Sequence, residues 1–180
     1  MRQINEIIVH GSATRPNWME GKSAKAKRDE IRRWHLANGW SDIGYHHLID
    51  RDGTLVDGRP MQKTGAHVKG RNTGTIGVCL IGGHGSSEND EFHDNFTEAQ
   101  NVALRKYIED QKAQRPWIEK VSGHNEYAAK ACPGFRVSEW LADVRPVVDA
   151  PPAPAATEVP SQGVWASIVA AILSLLGGRK

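Results

Sequence analysis

TIGVCLIG, Thr75 to Gly82, is a nearly continuous apolar run with no charged residue. A strand with one wet face alternates polar and apolar side chains, so an unbroken run reads as a central strand covered on both faces. Cys79 within it reads as a small buried hydrophobe. The covering layers are legible on either side. Lys22 to Asn38 predicts a helix with Ser23 as N-cap and Asn38-Gly39 as its stop. Ile31, Trp34, His35 and Leu36 are placed near its buried side, and its lysines and arginines on the solvated face. Thr97-Glu98-Ala99-Gln100 has the form of a capping box and opens a second helix carrying Val102, Leu104, Tyr107 and Ile108, lasting to about Gln114 before Pro116. A short helix is expected over Ser138 to Val144.

Further strands flank the central run. Ile4 to His10 is one; Gly44 to Asp50 is another, followed by an Asp52-Gly53 turn and a return through Leu55-Val56. Strand alternation puts Tyr45 and His47 on one face and His46 on the other. Gly65 to Gly74 is a glycine-rich loop whose His67, Asn72 and Thr73 are positioned to line a groove. Gly83 to Asn95 reads as a polar surface loop with His84 and His93 in solvent.

One stretch carries chemistry rather than packing: SGHNEYAAKACPGF, Ser122 to Phe135. It holds His124 and Cys132 in an H-x7-C arrangement, with Lys130 two residues before the thiol. A catalytic zinc takes about three protein ligands and keeps one position open, drawing on imidazole nitrogen and thiolate sulfur. The stretch supplies two donors, and His10, at the end of the first strand, is the candidate third. Glu126 is either a general base or a local cap.

With 180 residues and a formal net charge of +2, and a pI near 8.6, the chain fits one domain with something left over. The basic bias is too mild to imply a nucleic-acid partner. Two cysteines argue against a disulfide framework. MRQINEIIVH does not read as a signal peptide, so synthesis in the cytoplasm is expected.

With these motifs laid out, the sequence resembles the zinc-dependent N-acetylmuramoyl-L-alanine amidases of the phage T7 lysozyme and peptidoglycan-recognition-protein family. The matching pieces are IIVHGSAT, IGYHHLIDRDGTLVDGR, GAHVKGRNTGTIGVCLIGG and SGHNEYAAKACPGF, in that order. The resemblance implies an α/β domain with a mixed central β-sheet flanked by helices. It makes His10, His124 and Cys132 ligands of one Zn2+ per chain, and places Tyr45 and Lys130 as catalytic residues. Asn72 and Thr73 fall at positions that contact glycan or stem peptide, with His67 nearby. The expected activity is hydrolysis of the amide between N-acetylmuramic acid and L-alanine in peptidoglycan, as a monomeric phage endolysin acting on the host wall. A non-catalytic peptidoglycan-binding or polymerase-regulating protein is the alternative. His47 departs from the apolar or aromatic residue usual in the family.

Three segments follow: an amidase domain over 1–148, a Pro/Ala-rich linker over 149–162, and an apolar helix over 163–180. Val164 to Leu176 is charge-free, yet at roughly 1.5 Å per residue it is marginal against a hydrocarbon core of roughly 30 Å. A membrane-inserting or interfacial tail, associating with the inner membrane, is therefore expected.

Overall fold

The computed structural model describes residues 2–143. Five strands form one mixed sheet in the order β3-β2-β4-β1-β5: β1 is Glu6–Gly11, β2 His47–Ile49, β3 Leu55–Asp57, β4 Thr75–Leu80 and β5 Lys120–Gly123. β4 lies at the centre, parallel to β1 and β2. β5 continues parallel beyond β1, and β3 closes the far edge antiparallel to β2.

All six residues of β4 are buried, as its unbroken apolar run requires. Alternation sends Ile76, Val78 and Leu80 to one face, where with Ile7, Val9 and Ile49 they meet Leu104, Tyr107 and Ile108 of α3, Glu98–Gln114. Cys79 points to the other face and joins Leu48, Ile43, Ile81 and Ile31 of α1, Ala24–Ala37. The sheet therefore separates two cores.

Both long helices have the expected caps. Ser23 accepts from the Ala26 amide, and Thr97 and Gln100 form a reciprocal capping box. The buried face of α1 differs from expectation: Leu36 is 39 % exposed, whereas Lys27 is buried and its Nζ lies 2.8 and 2.9 Å from the Asp50 carboxylate oxygens. A lysine whose stem lies along apolar surface and whose ammonium meets a buried carboxylate does not belong to the solvated face. In α3, Gln100 is fully buried and donates to the Ile49 and Ile81 carbonyls, tying the helix start to the ends of the sheet.

Two further expectations are corrected. Within 83–95, Phe92–Asn95 forms a short helix, α2. Phe92 is buried and stacks on Trp140 of α4, Val137–Ala142, with centroids 5.5 Å apart. Secondly, Tyr45 and His47 do not share a face. β2 begins only at His47, so Tyr45 and His46 precede the strand; Gly58 and Arg59 donate in succession to the carbonyls of His46 and Tyr45, a pattern that regular strand alternation does not give. His47 therefore meets Tyr107 on the α3 side, its Nδ1 2.8 Å from the phenol oxygen, while Tyr45 packs against the core on the α1 side.

Among the described residues no helix is long and apolar enough to cross a membrane. The linker, 149–162, and the apolar segment, 163–180, lie outside the described residues.

Candidate metal centre

β1 and β5 are parallel neighbours with Val9 opposite Gly123, so the residues that follow, His10 and His124, emerge side by side at the carboxyl end of the sheet. Their ring centroids are 4.8 Å apart. Past His124 the chain makes a 3-10 turn over His124–Glu126 and returns along 127–132. The Asn125 amide donates to the Cys132 carbonyl at 2.6 Å, and the Asn125 side chain donates to the Phe135 carbonyl at 3.2 Å. Gly11 lets this loop approach: a Cβ there would lie 2.9 Å from the Pro133 carbonyl oxygen. In the space so gained, the Gly11 amide donates to Cys132 Sγ at 3.3 Å.

His10, His124 and Cys132 thereby offer ligand atoms that all lie within 4.8 Å of one another. His10 Nδ1 is 3.8 Å from Cys132 Sγ. Tetrahedral zinc with N and S bonds of about 2.0–2.3 Å separates its donors by about 3.3–3.8 Å, so this pair lies at the upper end of that range and the other donors lie within 4.8 Å. The donor set, two imidazoles and one thiol, is one that zinc favours.

The electrostatics suit the same purpose. Burial, then the neighbouring His67, His124 and Lys130, holds His10 well below the usual imidazole range. Burial and Lys130 also lower His124. Burial pushes the Cys132 thiol up to about 11, against the opposing pull of the Gly11 amide and Lys130. Without a cation all three donors are therefore neutral near pH 7, and a dication would reverse the thiol's preference.

Tyr45 stands beside the cluster, its ring centroid 5.1 Å from that of His10. Burial, then the Cys79 and Cys132 thiols, pushes its phenol well above the ordinary value, so it remains a hydrogen-bond donor. Lys130 is exposed and its charge is felt at His10, His124 and Cys132. Glu126 is occupied elsewhere: it accepts from the Gly123 amide at 2.9 Å and pairs with Lys120 at 3.1 Å, a capping role. His47, on the opposite face, does not shape this site.

The groove residues divide. Thr73 is exposed. The Asn72 side-chain oxygen accepts from the amides of His67 and Val68 at 2.8 and 2.9 Å, so it organises its own loop. His67 is buried, with Nδ1 3.1 Å from His10 Nε2 and Nε2 3.2 Å from the Thr75 hydroxyl. Sequence reading missed Thr75, whose position at the head of a buried strand marked it only as strand. A small cavity of about 170 Å3 adjoins Cys132, lined by Gly11, Ala13, Gly83, Gly85 and Pro133 among others. The larger one, about 540 Å3, lies between α2, α3 and α4 and contains none of the candidate residues.

A mixed sheet that gathers two imidazoles and a thiol at the carboxyl ends of its parallel strands defines a class, α/β proteins with a centre suited to one divalent cation. Known proteins narrow the class. Residues 1–135 match the family described as N-acetylmuramoyl-L-alanine amidase, and the chain belongs to that family. It is 41% identical over 139 residues to the endolysin of Klebsiella phage KP32, covering 77% of this chain and 86% of that one. With the endolysin of Escherichia phage T7 it shares 42% over 134 residues, 74% of this chain and 83% of the other. Among solved structures, the N-acetylmuramoyl-L-alanine amidase LysC from Clostridium intestinale is similar at a TM-score of 0.62 and 25% identity, over 78% of this chain and 85% of that one. Bumblebee PGRP-SA is similar at 0.63 and 25%, over 86% and 87%.

Proposed function

We propose that this chain is a phage endolysin that hydrolyses the amide between the lactyl group of N-acetylmuramic acid and L-alanine in peptidoglycan, with one zinc ion held by His10, His124 and Cys132. The observation that carries the reading is the convergence of those three donors within 4.8 Å in a chain of this family. When bound, the ion supplies Lewis acidity toward the scissile carbonyl and toward water. The chain's own residues do the rest. The Lys130 ammonium offers positive charge to the oxyanion that develops on the carbonyl, and the Tyr45 hydroxyl, kept protonated by its surroundings, offers a hydrogen bond at the reacting group. Attack of water at the lactyl carbonyl carbon forms a C–O bond and breaks the C–N bond, and the two water protons pass to the departing nitrogen, giving a lactyl carboxylate and a free L-alanine amino terminus.

A second reading is a module that holds muropeptide without cutting it. Loss of the thiol ligand is what such a module would show, and Cys132 is present with an amide donor already aimed at its sulfur, which favours the enzyme. Digestion of purified peptidoglycan followed by mass spectrometry separates the two. New L-alanyl amino termini with no new reducing sugar ends are expected; unchanged peptidoglycan would support binding alone. Membrane contact through Val164 to Leu176 rests on its charge-free composition and accompanies the reading as a separate proposal.

A further inference from the structure

The hydrogen bonds behind His10 run in one direction. Thr75 Oγ1 lies 3.0 Å from the Arg71 carbonyl oxygen and 3.2 Å from that of Asn72. Carbonyls only accept, so the single hydroxyl hydrogen is committed to them and the hydroxyl oxygen is left to accept from His67. His67 Nε2, 3.2 Å away, therefore carries the hydrogen. Its Nδ1 is then a lone pair and accepts from His10 Nε2 at 3.1 Å. A neutral His10 with its hydrogen on Nε2 has its lone pair on Nδ1, the atom that stands 3.8 Å from Cys132 Sγ.

The space for this arrangement is built into the backbone. A Cβ on Gly77 would sit 2.6 Å from His67 Cγ, and one on Gly65 would sit 2.4 Å from His67 Cδ2. Two glycines thus admit the imidazole between loop and strand, where it is only 7 % exposed.

We infer that Thr75 and His67 form a relay that fixes the His10 tautomer, so that His67 is a positioning residue of the cation site and not a groove contact. The inference rests on the zinc reading above. Partners of this kind orient a ligand ring and raise its basicity, and their loss costs roughly 10–100-fold in metal affinity. The two ring nitrogens of His67 are taken by His10 and Thr75 and His67 does not line the cavity beside Cys132, so its hydrogen bonds act on the site through His10.

The test uses the full-length chain with Co2+ as probe, measuring its dissociation constant by chelator competition and its thiolate and ligand-field absorption bands. His67→Phe is expected to bind cobalt about 10–100-fold more weakly. Thr75→Val is expected to weaken binding as well, and Thr75→Ser, which restores the hydroxyl, to bind as wild type does. Circular dichroism of the metal-free proteins checks the fold. If His67→Phe does not fold, the comparison of Thr75→Val with Thr75→Ser decides. Nitrogen-15 shifts of His10 in the metal-free wild type add a readout independent of metal: hydrogen on Nε2 is expected, and hydrogen on Nδ1 would overturn the relay. Wild-type affinity and spectrum in His67→Phe and Thr75→Val would also overturn it. Absence of cobalt uptake by the wild type itself would instead sink the zinc reading and the inference with it.

Discussion

Cys132 shows how a side chain's surroundings set its chemistry. Burial raises its thiol to about 11, while His10 and His124 are lowered, so near pH 7 the metal-free site holds a thiol and two neutral rings. The ligands of a bound zinc must be deprotonated. Of the three, only the thiol still has a proton to lose. Binding near pH 7 is therefore expected to release at least about one proton per zinc, from the thiol, and apparent affinity to rise as pH is raised toward neutrality. Calorimetry in buffers of different ionisation enthalpy measures that proton; release of none would mean that the thiol is not a ligand. At this scale the donors were legible as candidates because the H-x7-C spacing and the strand-end His10 are local patterns. The setting of His67 was not legible, since its burial depends on Gly77 in a strand and Gly65 in a loop, which the sequence shows only as small residues. Glu126 was open between base and cap, and the Gly123 amide that occupies it appears only once the turn is formed.

Helix α1 and the residue that follows strand β2 are joined by a contact that the sequence conceals. Lys27 and Asp50 pair at 2.8 Å with side chains only 10% and 4% exposed. Removing one partner of such a pair leaves a buried charge, a loss of about 3–5 kcal/mol. Lys27→Met is expected to destabilise the domain by that amount in urea unfolding, and adding Asp50→Asn to recover much of it. If the single variant were as stable as wild type, the pair would hold nothing together. The lysine was misplaced by the sequence because its partner lies outside the helix. The same limit applies to Phe92, placed in a polar stretch and buried against Phe96, Phe135 and Trp140. The helix caps were legible because Ser23 and Thr97 bond residues three positions away.

Seen whole, the molecule puts an apolar core on each face of one sheet and its candidate centre at the carboxyl edge between them. The central strand was legible because all its residues face a packed layer. The order β3-β2-β4-β1-β5 was not, because it depends on pairings between distant segments. The three donors, Tyr45, Lys130 and the His67–Thr75 pair are all among the described residues, so a chain ending at Val148 is expected to keep zinc binding and activity on purified peptidoglycan. Sedimentation with anionic vesicles should then distinguish the two lengths. Retention of the full chain alone is expected, and equal behaviour of both would remove the membrane role from Val164 to Leu176.

The most direct measurement is a zinc titration of chelator-stripped protein, with release of L-alanine amino termini from purified peptidoglycan followed at each addition. Activity is expected to return in proportion to zinc and to level off at about one ion per chain, with Cys132→Ser inactive throughout. Full activity in the stripped protein, or undiminished activity in Cys132→Ser, would contradict a zinc amidase built on His10, His124 and Cys132.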